Sequence, residues 1–204
     1  MTAHRPDRLM LTLLGVVLGF LLWSGIRPHD YATWALEVFP AVLGIIVCAA
    51  TYRRFPLTPL VYILIAVHMI ILIIGGHYTY SQVPAGNWLK EALNLSRNHY
   101  DRLGHFVQGF VPAMIAREVL IRNHVIARRG WLSLIIVCVC TAISAVYELI
   151  EWGVGVLAPG DAVAFLAMQG DVWDTQKDIA LCIIGAIAAL LALSRLHDRQ
   201  LARQ

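Results

Sequence analysis

Six stretches of mostly apolar residues, near 9–26, 33–51, 57–76, 103–121, 131–152 and 177–196, follow one another with little chain between them. A helix needs about 17–25 such residues to cross the hydrocarbon core of a bilayer, where every backbone N–H and C=O must be satisfied inside the segment. The sequence therefore predicts an all-α chain, a polytopic membrane helix bundle of about six transmembrane helices. Composition supports this, because 59% hydrophobic and 14% charged residues, with a mean hydropathy of +0.68, leave too little polar surface for a soluble domain. Residues 1–204 read as a single transmembrane domain. Its scaffold spans occupy about 9–76, joined by short links at 27–32 and 52–56, and its motif-bearing spans occupy about 98–196.

Orientation follows from the basic residues. With a cytoplasmic N-terminus, eleven of the 16 Lys and Arg fall on inner segments and five (Arg27, Lys90, Arg97, Arg102 and Lys177) on outer ones. This bias is the positive-inside signal, and it predicts an N-in/C-in, multi-pass membrane protein. The inner basic rim is split among short segments, which suits anionic membrane lipids as partners and not nucleic acid. The apolar run after Arg5 and Arg8 is too long for a signal core and reads as a retained first helix. Cys48, Cys138, Cys140 and Cys182 lie inside spans with no C-x-x-C pair, and they read as small apolar residues.

Polar residues concentrate at the outer ends of the last three spans. Asn98, Asp101, His105 and Gln108 recur at steps of three and four, which is one face of a helix. Glu148 and Glu151 are three apart at the exit of the fifth span, and Asp171, Asp174 and Asp178 repeat the pattern at the entrance to the sixth. An ionisable side chain in lipid costs about 2.5–3.5 kcal/mol on insertion scales, so these faces are expected to turn toward one another. His77, which follows Gly75 and Gly76 at the outer end of the third span, is a further candidate member. His68, alone in that apolar span, reads as a hydrogen-bonded core histidine. Two outer segments flank the cluster: a short amphipathic helix capped by Asn87, and an apolar piece at 162–168 after the turn Pro159-Gly160-Asp161.

Several carboxylates in a low-dielectric site cannot all stay ionised without a counter-charge. Arg102 and Lys177 are adjacent in sequence to acids of the cluster, and such neighbours on a helix point to different faces. A divalent cation is the better fit, because oxygen-rich sites with one or two imidazoles suit zinc, manganese or iron. The candidate metal ligands are Asp101, His105, Glu148, Asp171, Asp174, Asp178 and His77, with Glu151 the candidate catalytic base. A self-satisfied ion network and a proton-coupled relay are the alternatives.

The runs Tyr100-Asp101-Arg102-Leu103-Gly104-His105-Phe106, Tyr147-Glu148-Leu149-Ile150-Glu151-Trp152 and Gly170-Asp171-Val172-Trp173-Asp174-Thr175-Gln176-Lys177-Asp178 resemble the YjdF-like family of predicted bacterial inner-membrane proteins. That resemblance implies a multi-spanning fold and no established activity. The order Asp-x-x-x-His-Phe, a Glu on an exit helix and an Asp before Gly185-Ala186-Ile187-Ala188-Ala189 is more distantly similar to VanZ-like membrane proteins, which are associated with glycopeptide-antibiotic resistance. The chain departs from that pattern by having Glu151 where a Gln is expected and two extra leading spans.

Two classes of function remain open. One is a metal-dependent membrane enzyme acting on a lipid or lipid-linked substrate at the outer leaflet. The other is a cation-binding or proton-coupled transport module, whose site would be expected nearer the bilayer midplane.

Overall fold

Long apolar runs, interrupted by residues that start or stop helices, set the elements of this chain. The computed structural model describes residues 8–157 and 169–203. Its α-helices are α1 (Arg8–Ser24), α2 (Tyr31–Thr51), α3 (Pro59–Tyr78), α4 (Pro84–Ala92), α5 (Tyr100–Arg122), α6 (Leu132–Leu157) and α7 (Asp174–Leu201), and no strand occurs among the described residues. Asp30 caps α2 by accepting the Thr33 N–H at 2.7 Å, a bond that also holds its carboxyl below the usual range. Thr58 is extended ahead of Pro59, which opens α3 at the position where proline's missing N–H costs nothing.

Helices α2, α3, α6 and α7 are long and apolar enough to cross a membrane, and α1 is an apolar helix of 17 residues. Helix α5 has the length, 23 residues, but carries Asp101, Arg102, His105, Arg117, Glu118 and Arg122. Of these, Asp101, His105, Arg117 and Glu118 are buried, which is how so polar a helix is accommodated.

The chain divides into two compact units, Met1–Tyr100 and Asp101–Gln204. The first is built on α1, α2 and α3 around Val17, Val38, Ala41, Ala66, Met69 and Ile73. Gly76 lets α3 approach Glu37 and Val38 of α2. Two local expectations are corrected here. Helix α4 starts at Pro84, so Asn87 is inside it and not its cap. Asn98 precedes α5, and its side chain ties a turn by donating to the Val83 carbonyl (3.0 Å) and Asn87 Oδ1 (2.9 Å) while accepting the Tyr100 N–H (3.0 Å). A Cβ at position 86 would collide with Asn98, so that tie requires Gly86.

In the second unit α5 and α7 run parallel and meet backbone to backbone. A Cβ on Gly109 would run into the Cys182 carbonyl, and a Cβ on Gly185 would run into the Phe106 carbonyl. Small residues at such a crossing let two membrane helices approach closely. Helix α6 seals the contact, with Cys140 Sγ donating to the Gly109 carbonyl (3.6 Å) and Cys182 Sγ to the Cys140 carbonyl (3.4 Å). All four cysteines are free.

Candidate metal centre

His105 and Asp178 each lie one helical turn before the glycine-mediated contact, His105 ahead of Gly109 on α5 and Asp178 ahead of Cys182 on α7. The close approach of the two backbones therefore carries the imidazole and the carboxylate to each other. Asp101, one turn earlier on α5, joins them: one ligand atom each from Asp101, His105 and Asp178 lie within 4.8 Å of one another. Exposure is 8%, 5% and 2% respectively, so the charges cannot be screened by bulk water.

His105 organises the group. Its Nδ1 lies 3.2 Å from Gln108 Oε1, an acceptor, so the Nδ1–H donates there and the Nε2 side turns to the acids. Nε2 is 3.6 Å from Asp101 Oδ1 and 3.7 Å from Glu148 Oε1, both beyond hydrogen-bond length. Tyr147 places its ring edge-on to the imidazole at 6.3 Å. Glu148 Oε1 and Asp178 Oδ1 are buried with no hydrogen-bond partner among the described residues. Orphaned oxygens of that kind call for an ion or a water between them.

Beside this group a cavity of about 270 Å³ lies between α6 and α7, lined by Glu148, Glu151, Asp174, Asp178 and Thr175 and edged by Trp152, Gly155 and Val156. Glu148 and Asp174 are buried and Glu151 half-buried, so the Glu-x-x-Glu pair of α6 presents both acids to one space. Asp174 opens α7, where the helix N-terminus favours negative charge.

Asp171 is used differently from its neighbours. It precedes α7, and its Oδ2 receives Arg102 Nη2 at 2.8 Å and Lys177 Nζ at 2.6 Å, while Oδ1 accepts the Trp173 N–H. The Lys177 hydrogen bond, then that backbone bond and the two cationic charges, hold its carboxyl below the ordinary value. Arg102 and Lys177 are thus taken up together by one carboxylate, a convergence that sequence adjacency did not indicate. His77 belongs to the first unit, where its Nδ1–H donates to the Ser24 carbonyl (2.9 Å) and its ring packs on Trp23 with centroids 4.4 Å apart. His68 Nε2 is buried without a hydrogen bond among the described residues, contrary to the expected satisfied core histidine. The 159–168 segment lies outside the described residues.

A second polar group, unanticipated from sequence, joins α5 to α7 at their other ends. His197 and Glu118 are fully buried. Arg117 donates to His197 Nδ1 (3.0 Å) and to Asp198 Oδ1 (2.7 Å), which places the ring hydrogen on Nε2 for donation to Glu118 Oε2 (2.9 Å). Arg122 donates to Glu118 Oε1 at 2.9 Å. The Glu118/Arg122 spacing of four was the one signal in the sequence that pointed to it.

Comparison with known proteins gives a family and a relative. Residues 9–199 match the family described as "Predicted membrane protein (DUF2238)". The chain is similar to Inner membrane protein YjdF of Escherichia coli (strain K12), 49% identical over 183 residues that cover 90% of this chain and 88% of that protein. These similarities support the YjdF-like resemblance and add nothing for the VanZ-like one. No solved structure matches the chain.

Proposed function

Because the chain belongs to the DUF2238 family of predicted membrane proteins, we propose that it is a multi-pass inner-membrane protein whose second unit holds a divalent cation at an outward-facing site. That site would act on a lipid or lipid-linked substrate. The relative's name supports the inner membrane, and the distribution of basic residues supports N-in/C-in. The observation that carries the metal reading is the ring of oxygens around His105 Nε2. Its spacings of 3.6 and 3.7 Å are close to the roughly 3.3–3.6 Å that separate neighbouring ligands each about 2.0–2.2 Å from a tetrahedral zinc. An oxygen of Asp178 lies within 4.8 Å of the ligand atoms of Asp101 and His105. Gln108 supplies the partner that orients a metal-bound histidine and leaves its other nitrogen free to coordinate.

Asp101, His105 and Asp178 form the ligand set in this reading, with Glu148 as a fourth oxygen. Oxygen donors with one imidazole suit zinc, manganese or iron, and a cation held there would supply Lewis acidity to a substrate oxygen or a water. Glu151, on the cavity wall and half-buried, is placed to take a proton from such a water. Asp174 supplies further negative charge, and exposed Trp152 and Val156 give the cavity an apolar lip for a lipid chain. The competing reading is a protonated His105 paired with Asp101 and Glu148 and no metal, which the same ion-pair distances favour.

Titration calorimetry of chelator-stripped protein separates the two readings. Wild type is expected to bind zinc or manganese at one site per chain, and His105→Ala and Asp178→Asn to lose at least about tenfold in affinity, the usual cost of a missing ligand or its orienting partner. Equal binding by all three proteins, or none by wild type, would favour the ion network. Purified holoprotein should then be assayed on outer-leaflet phospholipids and lipid-linked cell-wall precursors. Retained metal with no turnover of either would favour the cation-binding module.

The topology has its own test. Single cysteines near Ser96 are expected to react with an impermeant thiol reagent in spheroplasts while cysteines near Arg128 stay protected; the reverse pattern would invert the orientation.

A further inference from the structure

The first unit holds a cavity unrelated to the acidic site. It is about 460 Å³, within the range of about 300–1,000 Å³ usual for small-ligand sites, and it lies between α1, α2 and α3. Leu14 and Val17 of α1, Ile45 of α2, and Ala66 and Met69 of α3 form its apolar walls. Leu14 and Leu11 stay exposed on one side, so the cavity opens laterally to whatever surrounds the bundle. From Met10 to Val17 the wall on α1 rises about 10 Å at 1.5 Å per residue, about a third of a hydrocarbon core. Tyr52 and Arg53 close one end, and Tyr62 packs on Tyr52 with centroids 5.9 Å apart. The Arg53 side chain is exposed and makes no hydrogen bond or ion pair among the described residues.

A lateral apolar slot ending at an unpaired guanidinium and a tyrosine pair has the polarity of a single phospholipid molecule. We propose that this cavity binds one anionic phospholipid, with an acyl chain lying along Leu14, Val17, Ile45 and Met69 and the phosphate on Arg53. Water has no role inside such walls, and a chain filling them removes apolar surface from an otherwise unfilled space. Arg53 contributes the selectivity, since a guanidinium forks onto phosphate oxygens and favours a headgroup with net negative charge. The neighbouring Arg54, also exposed, does not line the cavity, and it serves as the internal control.

The test uses the full chain reconstituted in nanodiscs of mixed phosphatidylethanolamine and phosphatidylglycerol, released into mild detergent and examined by native mass spectrometry. Wild type is expected to retain one phosphatidylglycerol per chain. Arg53→Gln should lower its enrichment over phosphatidylethanolamine by about fivefold, in line with the attraction of one basic group for an anionic lipid. Arg54→Gln should leave it unchanged. Ala49→Trp, placing a ring in the cavity from an exposed wall position, should remove the retained lipid whatever its headgroup. Equal losses in Arg53→Gln and Arg54→Gln would mean a diffuse basic rim and overturn the proposal. So would phosphatidylglycerol retention that survives both Arg53→Gln and Ala49→Trp, or wild type that retains no lipid.

Discussion

Replacing Gly109 with leucine is expected to destabilise the second unit strongly. The Gly109 α-carbon faces the Cys182 carbonyl so closely that even a methyl group there has no space, and the obstacle is backbone, which cannot rotate away. Overpacking a core ordinarily costs about 1–3 kcal/mol, and a clash that forces two helix axes apart belongs at or beyond the upper end. Against a total stability of about 5–15 kcal/mol, that is a large share. Separating α5 from α7 also strips the Cys140 and Cys182 contacts and parts His105 from Asp178. Gly153→Ala on α6 is the control, because open space surrounds that position and the change is expected to be neutral. Thermal unfolding in detergent, followed by tryptophan fluorescence, distinguishes the two; a Gly109→Leu protein that melts with wild type would show that the helices do not cross there.

The second large effect is expected at the opposite end of the same helix pair. Glu118→Ala removes the carboxylate that accepts from the buried His197 Nε2–H and from Arg122. Removing one partner from a buried charge network costs about 3–5 kcal/mol, and here the fully buried His197 N–H cannot regain water. Glu118→Gln keeps an acceptor oxygen and is expected to recover part of that loss. If both variants melt with wild type, the network does not contribute to the stability of the unit. Variants that remain folded should bind metal as wild type does, since Glu118 touches none of the His105 group.

Helical periodicity explains which parts of this arrangement were readable in the sequence. Asp101 with His105, Glu148 with Glu151, and Asp174 with Asp178 sit three or four apart inside helices, so each pair's shared face followed from spacing alone, as did the all-α fold from the apolar runs. The same reasoning misled where the residue was not helical. Asn98 fitted the periodic series but ends a turn before α5 begins, and Asp171 sits ahead of α7, where its carboxylate is free of the helical wheel and meets both Arg102 and Lys177. Contacts between distant segments left no local trace. Glu118 and His197 are 79 positions apart, and each looks like an ordinary charge near a basic inner segment until α5 and α7 are laid side by side. The glycine contact that aligns them is equally silent, because Gly109 and Gly185 resemble any small residues of a membrane helix until the opposing carbonyls are seen.

The acids around His105 cannot all stay ionised without a positive counter-charge, and the metal reading rests on whether that charge is a bound cation or a proton on Nε2. Elemental analysis of the chain purified without chelator or added metal tests this most directly. The account predicts close to one zinc, manganese or iron per wild-type chain, and a marked loss in a folded His105→Ala protein. A metal-free wild type, folded and carrying a proton on both ring nitrogens of His105 by nitrogen-15 NMR, would contradict it.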